Sequence, residues 1–119
     1  MPFDWREYLA LARSVQTQTG TGFGEEAAKR CAVSRAYYAA FCWARNQAMT
    51  RYHFEPTGTA NDHGQLRSHL RSYHRHREAR LLDQLRQWRN QCDYDDNIPN
   101  LSQVVDAALK QADDVITSL

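Results

Sequence analysis

Nine consecutive residues at the end of a leucine-rich stretch hold the most varied side-chain chemistry of this chain: Arg86, Gln87, Trp88, Arg89, Asn90, Gln91, Cys92, Asp93 and Tyr94. Within them Arg89, Asn90, Asp93 and Tyr94 set a guanidinium, an amide, a carboxylate and a phenol inside about a turn and a half of helix. A guanidinium fork binds phosphate or carboxylate, an amide and a carboxylate orient a ligand, and a phenol donates a proton or a hydrogen bond. That set suits recognition of an anion and, with a proton-transferring group, chemistry on it. A plainer reading stands beside it. Arg89 and Asp93 are four apart, the spacing of an ordinary helical ion pair worth a few tenths of a kcal/mol, and Tyr94 is equally a phenol packed at a helix end.

Other candidates lie upstream. His63, at the start of a helical stretch, carries a side chain whose pKa of about 6.5 suits acid–base work, although a histidine in a first turn is commonly just solvated. Arg67, Arg71 and Arg75 are four apart and predict a basic ridge that, with Arg86, either is a solvated face or tracks a nucleic-acid backbone. Arg35, among apolar residues, calls for an acidic partner, Asp93 or an aspartate of the last helix. His69, His74 and His76 lack metal-site spacing, and Tyr37, Tyr38, Phe41 and Trp43 read as core or interface aromatics, so no metal and no cofactor is expected.

The formal net charge is +1, but from His63 to Arg89 seven arginines face only Glu78 and Asp83, while Asp93 to Leu119 carries six aspartates against Lys110. Thirteen of the fifteen cations are arginine, which favours an anionic ligand. Hydrophobic residues make up 42% and charged ones 24%. No apolar run approaches the roughly 20 residues of a membrane span, and the first residues lack signal-peptide character, so the expected address is the cytoplasm. The three cysteines have no Cys-x-x-Cys spacing and are expected to be reduced and mostly buried.

Helical periodicity predicts the elements that must position these groups. A first helix starts near Asp4, with Asp4 and Glu7 as a capping box and Phe3 and Tyr8 as a hydrophobic staple. The glycine- and threonine-rich segment 17–24 is a loop. Glu25 and Glu26 then open the longest helix, which meets no glycine or proline before Pro56 and bears a stripe of Val33, Tyr37 and Phe41 beside Ala28, Ala32, Ala36, Ala39 and Ala40. It is the expected central helix. After a loop over 55–61, Asp62 and Gln65 form a second capping box, with a break or bend expected at 73–77. Leu81, Leu85, Trp88 and Cys92 make a narrow stripe, with Leu82 widening it toward Arg89, which lies at the edge of the buried face; Asp95-Asp96-Asn97-Ile98-Pro99 ends this helix, and Asn100 with Gln103 caps a strongly amphipathic last helix, whose apolar face includes Val104, Val105 and Val115. One all-α domain over 1–119 follows, an up-and-down bundle of five helices or four plus a short one.

The segment Ser34-Arg35-Ala36-Tyr37-Tyr38-Ala39-Ala40-Phe41 and the later Arg89-Asn90-Gln91-Cys92-Asp93-Tyr94, with His63 between them, resemble the HEPN superfamily, most closely its small single-domain members from toxin–antitoxin and phage-defence loci. The resemblance implies a helical bundle that forms a homodimer, with two arginine motifs meeting in a cleft that acts in active members as a metal-independent ribonuclease site. Its partners would be RNA, such as tRNA or mRNA, and a nucleotidyltransferase-type antitoxin. Active members carry an arginine, a polar residue and then a histidine after four to six intervening residues. Arg89 and Asn90 match the first two positions, and Tyr94 stands where the histidine is expected. A phenol of pKa about 10 is a poor base at neutral pH, so either Tyr94 or His63 would handle protons while Arg89 holds phosphate and Asn90 and Asp93 orient it. The alternative is a catalytically inactive module that binds a nucleotide or a protein partner.

Overall fold

The computed structural model describes residues 2–119 and contains five helices, α1 (Arg6–Val15), α2 (Glu25–Arg51), α3 (Asn61–Ser72), α4 (His76–Tyr94) and α5 (Leu101–Ser118). Among the described residues there is no strand beyond an isolated bridge between Gly20 and Phe23. The expected all-α bundle thus takes its five-helix form, and no described helix is long and apolar enough to cross a membrane.

The middle of α2 explains the arrangement. Ala32, Val33, Ser34, Ala36, Tyr37 and Ala39 through Cys42 are all buried, so this helix is covered on every side, and it packs against each of the other four. Alanine on so many positions lets neighbouring backbones approach closely. Leu9 and Ala12 of α1, Leu66 and Leu70 of α3, Leu82 and Leu85 of α4, and Val105, Ala108, Ala112 and Val115 of α5 complete one continuous core with it.

The helix ends differ in detail from the expected caps. Asp4 accepts from the Arg6 backbone N–H (3.1 Å) and grips the Arg6 guanidinium instead of pairing with Glu7, although the Phe3 and Tyr8 rings do meet, 5.4 Å apart. Asp62 lies inside the first turn of α3 and reaches back to the N–H groups of Thr57 and Gly58, at 2.8 and 2.9 Å, so it ties down the preceding loop. Gly58 turns there with φ +78°, which suits glycine. Asn100 caps α5 from a left-handed conformation without a side-chain bond. The break falls at Tyr73–Arg75, where His74 is left-handed (φ 63°). Arg75 therefore leaves the line of Arg67 and Arg71, and its Nε donates to the Tyr52 hydroxyl at 2.8 Å.

Ala36 is fully buried whereas Ala27, on the same helix, is exposed. Replacing Ala36 by leucine overpacks the contact and is expected to cost roughly 1–3 kcal/mol, against within about 0.5 kcal/mol for Ala27→Leu; urea unfolding midpoints of the two variants check this.

Candidate functional site

On α4 the buried side chains are Glu78, Ala79, Leu82, Leu85 and Cys92. At about 100° per residue, Arg89 falls on the same line as Leu82, Leu85 and Cys92. Its side chain is only 14% exposed. The arginine expected at the edge of the buried face is half-buried on that line, and Leu81 and Trp88 are half-buried beside it. Tyr94 lies about 140° round the helix from Arg89 at the same pitch, and it is 76% exposed. Among the described residues no hydrogen bond, ion pair or ring contact links it to Arg89.

The angle holds because α4 stays regular through Tyr94, and Arg30 of α2 closes its end. Its guanidinium donates to the carbonyls of Cys92 (3.1 Å), Asp95 (2.6 Å) and Asp96 (2.9 Å), satisfying acceptors that a helix C-terminus leaves open.

Around Arg89 the helices bring together groups far apart in the chain. Its guanidinium lies 5.4 Å from the ring centroids of both Tyr37 and Tyr38 and 3.6 Å from the Asp93 carboxylate. The buried Tyr37 hydroxyl is hydrogen-bonded to Nδ1 of His63, whose ring stacks on Phe41 at 4.2 Å. A histidine from α3 thus reaches the arginine of α4 across a phenol of α2. Asn90 is half-buried beside Arg89.

Asp83 joins the two basic helices. Its Oδ1 is 3.6 Å from Arg67 and 3.1 Å from Arg86, and Gln87 donates to its Oδ2 at 3.0 Å. Arg67 also donates to the His63 carbonyl at 3.1 Å. Arg67, Arg71 and Asp83 line an open groove of about 480 Å³ with Asn61, Gly64 and Ser68. Of the four expected RNA contacts, Arg67, Arg71 and Arg86 lie on this side, while Arg75 is engaged at Tyr52. The Nε atoms of Arg86 and Arg89 are buried without a hydrogen-bond acceptor. Arg35 does not meet an acid: it lies over the rings of Tyr8 and Tyr38, at 5.3 and 5.5 Å, and touches Ser34 Oγ at 3.4 Å.

Burial pushes the His63 imidazole below its ordinary pKa, and the charges of Arg89 and Arg67 push it further, against a weaker pull from Asp62. It is neutral at pH 7. Burial also raises the Tyr37 phenol, outweighing Arg89 and Arg67, so Tyr37 keeps its proton. For Asp83, burial opposes the charge, but the Arg86 hydrogen bond and the charges of Arg67 and Arg86 outweigh it and hold the carboxyl below the usual range.

Tyr37, Asp83 and Arg30 are the contributors that pattern reading passes over. Tyr37 sits on an apolar stripe, and only its hydroxyl, which needs a partner when buried, marks it; Asp83 is signalled by being one of two acids among seven arginines. Comparisons with family models, with curated proteins and with solved structures give no match.

Because the fold disfavours the His63 imidazolium, the unfolded chain binds the extra proton first as pH falls through about 6.5. His63 therefore lowers stability from there downward, and the loss levels off below its folded pKa. The expected NMR titration of His63 lies below the ordinary histidine value of about 6.5, moves up when phosphate is added, and the acid-side loss of stability is smaller in His63→Gln.

Proposed function

We propose that this chain is an HEPN-like RNA-binding protein that cleaves RNA without a metal ion, acts as a homodimer, and belongs to a toxin–antitoxin or phage-defence system. The observation that carries the reading is the cluster of Arg67, Arg86 and Arg89 around a neutral histidine, with Asp83 and Asp93 as the carboxylates that touch it. Three guanidinium groups against two carboxylates leave positive charge for a phosphate, whose oxygens accept from the outer guanidinium N–H groups. Arg67 and Arg71 extend the positive surface along the groove, where a polynucleotide backbone would lie.

The Tyr37–His63 bond can run either way, and cleavage uses one of its two tautomers. With Nδ1–H donating to the Tyr37 oxygen, Nε2 keeps its lone pair and accepts the proton of a ribose 2′-hydroxyl, while the guanidinium groups stabilise charge developing on the phosphate; with the Tyr37 O–H donating to Nδ1, Nε2 carries the proton and the site binds without cleaving. His63 takes over the task that the arginine motif assigns to a following histidine. Tyr94, turned away and exposed, has no part in proton transfer within its own chain.

One observation favours a second reading. Asp93 and two phenol rings already occupy Arg89, as in a module that holds a nucleotide or docks a nucleotidyltransferase-type antitoxin without cleaving anything. Incubation of the purified protein with tRNA or total RNA in EDTA separates the two. Cleavage is expected, reduced on the order of 10²–10⁴-fold in His63→Ala and 10²–10³-fold in Arg89→Ala, and unchanged in Tyr94→Phe. Salt-sensitive RNA binding without cleavage, weakened in Arg86→Ala, establishes the inactive module, and absence of both ends the RNA reading. Light scattering at micromolar concentration is expected to give a dimer.

A further inference from the structure

Apart from the groove, a recess of about 300 Å³ is lined by Trp5, Tyr8, Arg35, Tyr38 and Cys42. Three of those five side chains are aromatic, and the fourth is the arginine for which sequence reasoning expected a carboxylate. No described carboxylate lies within ion-pair distance of Arg35. Its guanidinium instead rests on the ring faces of Tyr8 and Tyr38, with Ser34 Oγ as its one side-chain hydrogen-bond partner, at a long 3.4 Å. Most of its donor edge is thus uncommitted.

Aromatic walls with one free guanidinium match a flat, acceptor-bearing ring. Bases stack on tryptophan and tyrosine regardless of sequence, and arginine distinguishes guanine by donating two parallel hydrogen bonds to O6 and N7. At about 300 Å³ the recess is at the small end of ligand sites, which suits one base and not a longer stretch of chain. Its place relative to Arg89 adds to the case. Arg35 and Arg89 lie 5.5 and 5.4 Å from the centroid of the same Tyr38 ring, so one phenol separates the recess from the phosphate-binding guanidinium.

We infer that the Trp5–Tyr8–Arg35–Tyr38 recess is a guanine-binding subsite, which selects a guanine nucleotide next to the phosphate held at Arg86 and Arg89. This rests on the RNA-directed reading for the phosphate half alone. Arg35 reads the O6 and N7 edge, the base stacks on Trp5 with the Tyr8 ring, which stands at 87° to Trp5, against its edge, and Tyr38 forms the wall shared with the phosphate site. Cys42 closes the floor as a thiol that burial keeps protonated.

The test titrates the full chain with guanosine and with the four nucleoside monophosphates, followed by calorimetry and by quenching of tryptophan fluorescence. Guanosine monophosphate is expected to bind at least tenfold more tightly than the adenosine, cytidine and uridine forms, and guanosine without phosphate to bind measurably. Arg35→Lys keeps the charge but cannot form the bidentate contact, and is expected to abolish the preference with an unchanged far-ultraviolet circular dichroism spectrum. Arg89→Ala is expected to weaken the monophosphate but not guanosine. Equal binding of all four monophosphates, or a guanine preference that survives in both Arg35→Lys and Tyr8→Ala, overturns the subsite and leaves RNA binding at Arg86 and Arg89 standing. Guanosine binding that Arg35→Lys removes, in a protein that neither binds nor cleaves RNA, supports the subsite and refutes the RNA reading instead.

Discussion

A guanidinium on the buried line of a helix has to be matched or it opposes folding, and Arg89 occupies that position on α4. Three contacts answer its charge: the Asp93 carboxylate one turn on and the faces of Tyr37 and Tyr38. An exposed ion pair of this spacing would contribute a few tenths of a kcal/mol, while contact with aromatic faces gains strength as water is removed. Neither kind of contact satisfies Nε, which stays without an acceptor. The neighbouring elements follow from that arrangement. Tyr37 must be buried to present its ring, its hydroxyl then requires a partner, and His63 supplies one from the first turn of α3.

The electrostatic balance around that point is set by which acids are absent. Asp83 and Asp93 are the carboxylates that touch Arg67, Arg86 and Arg89. Two of the three aspartates of α5 are engaged elsewhere, Asp113 with Arg13 and Asp114 with Arg77 and Lys110, each pair at 3.4 Å. Among the described residues no ion pair links the acidic last helix to the basic cluster, which Asp83 and Asp93 compensate only in part. That surplus is one cause of the depressed His63 pKa, so the same arginines that attract an anion also keep the nearby imidazole free of its proton.

Helical continuity decides the fate of Tyr94. Had α4 loosened after Arg89, a side chain five residues on could have curled back toward it. Arg30 instead takes the carbonyls of Cys92, Asp95 and Asp96, the helix keeps its pitch, and the phenol is carried out to solvent. The cap comes from α2, more than sixty residues earlier in the chain.

Much of the architecture was legible in the sequence because helices are local. The alanines of α2, the leucines of α4 and the valines of α5 recur at helical spacing, and the glycine-rich loop, the corner at 73–77 and the Asp95–Pro99 stop interrupt them where the structure does. Periodicity also placed Arg89, Asp93 and the Arg67–Arg71 pair on faces that the fold retains. It left open whether Leu81 or Leu82 is the more deeply buried, and packing of the helices buries Leu82 while leaving Leu81 half-buried. The meeting of His63, Tyr37 and Arg89, the bridge that Asp83 makes between Arg67 and Arg86, and the aromatic seat of Arg35 were decided by tertiary structure alone. Residue spacing reports which side of its own helix a group occupies, whereas a polar group's partner depends on which helices pack together and how deeply each is desolvated.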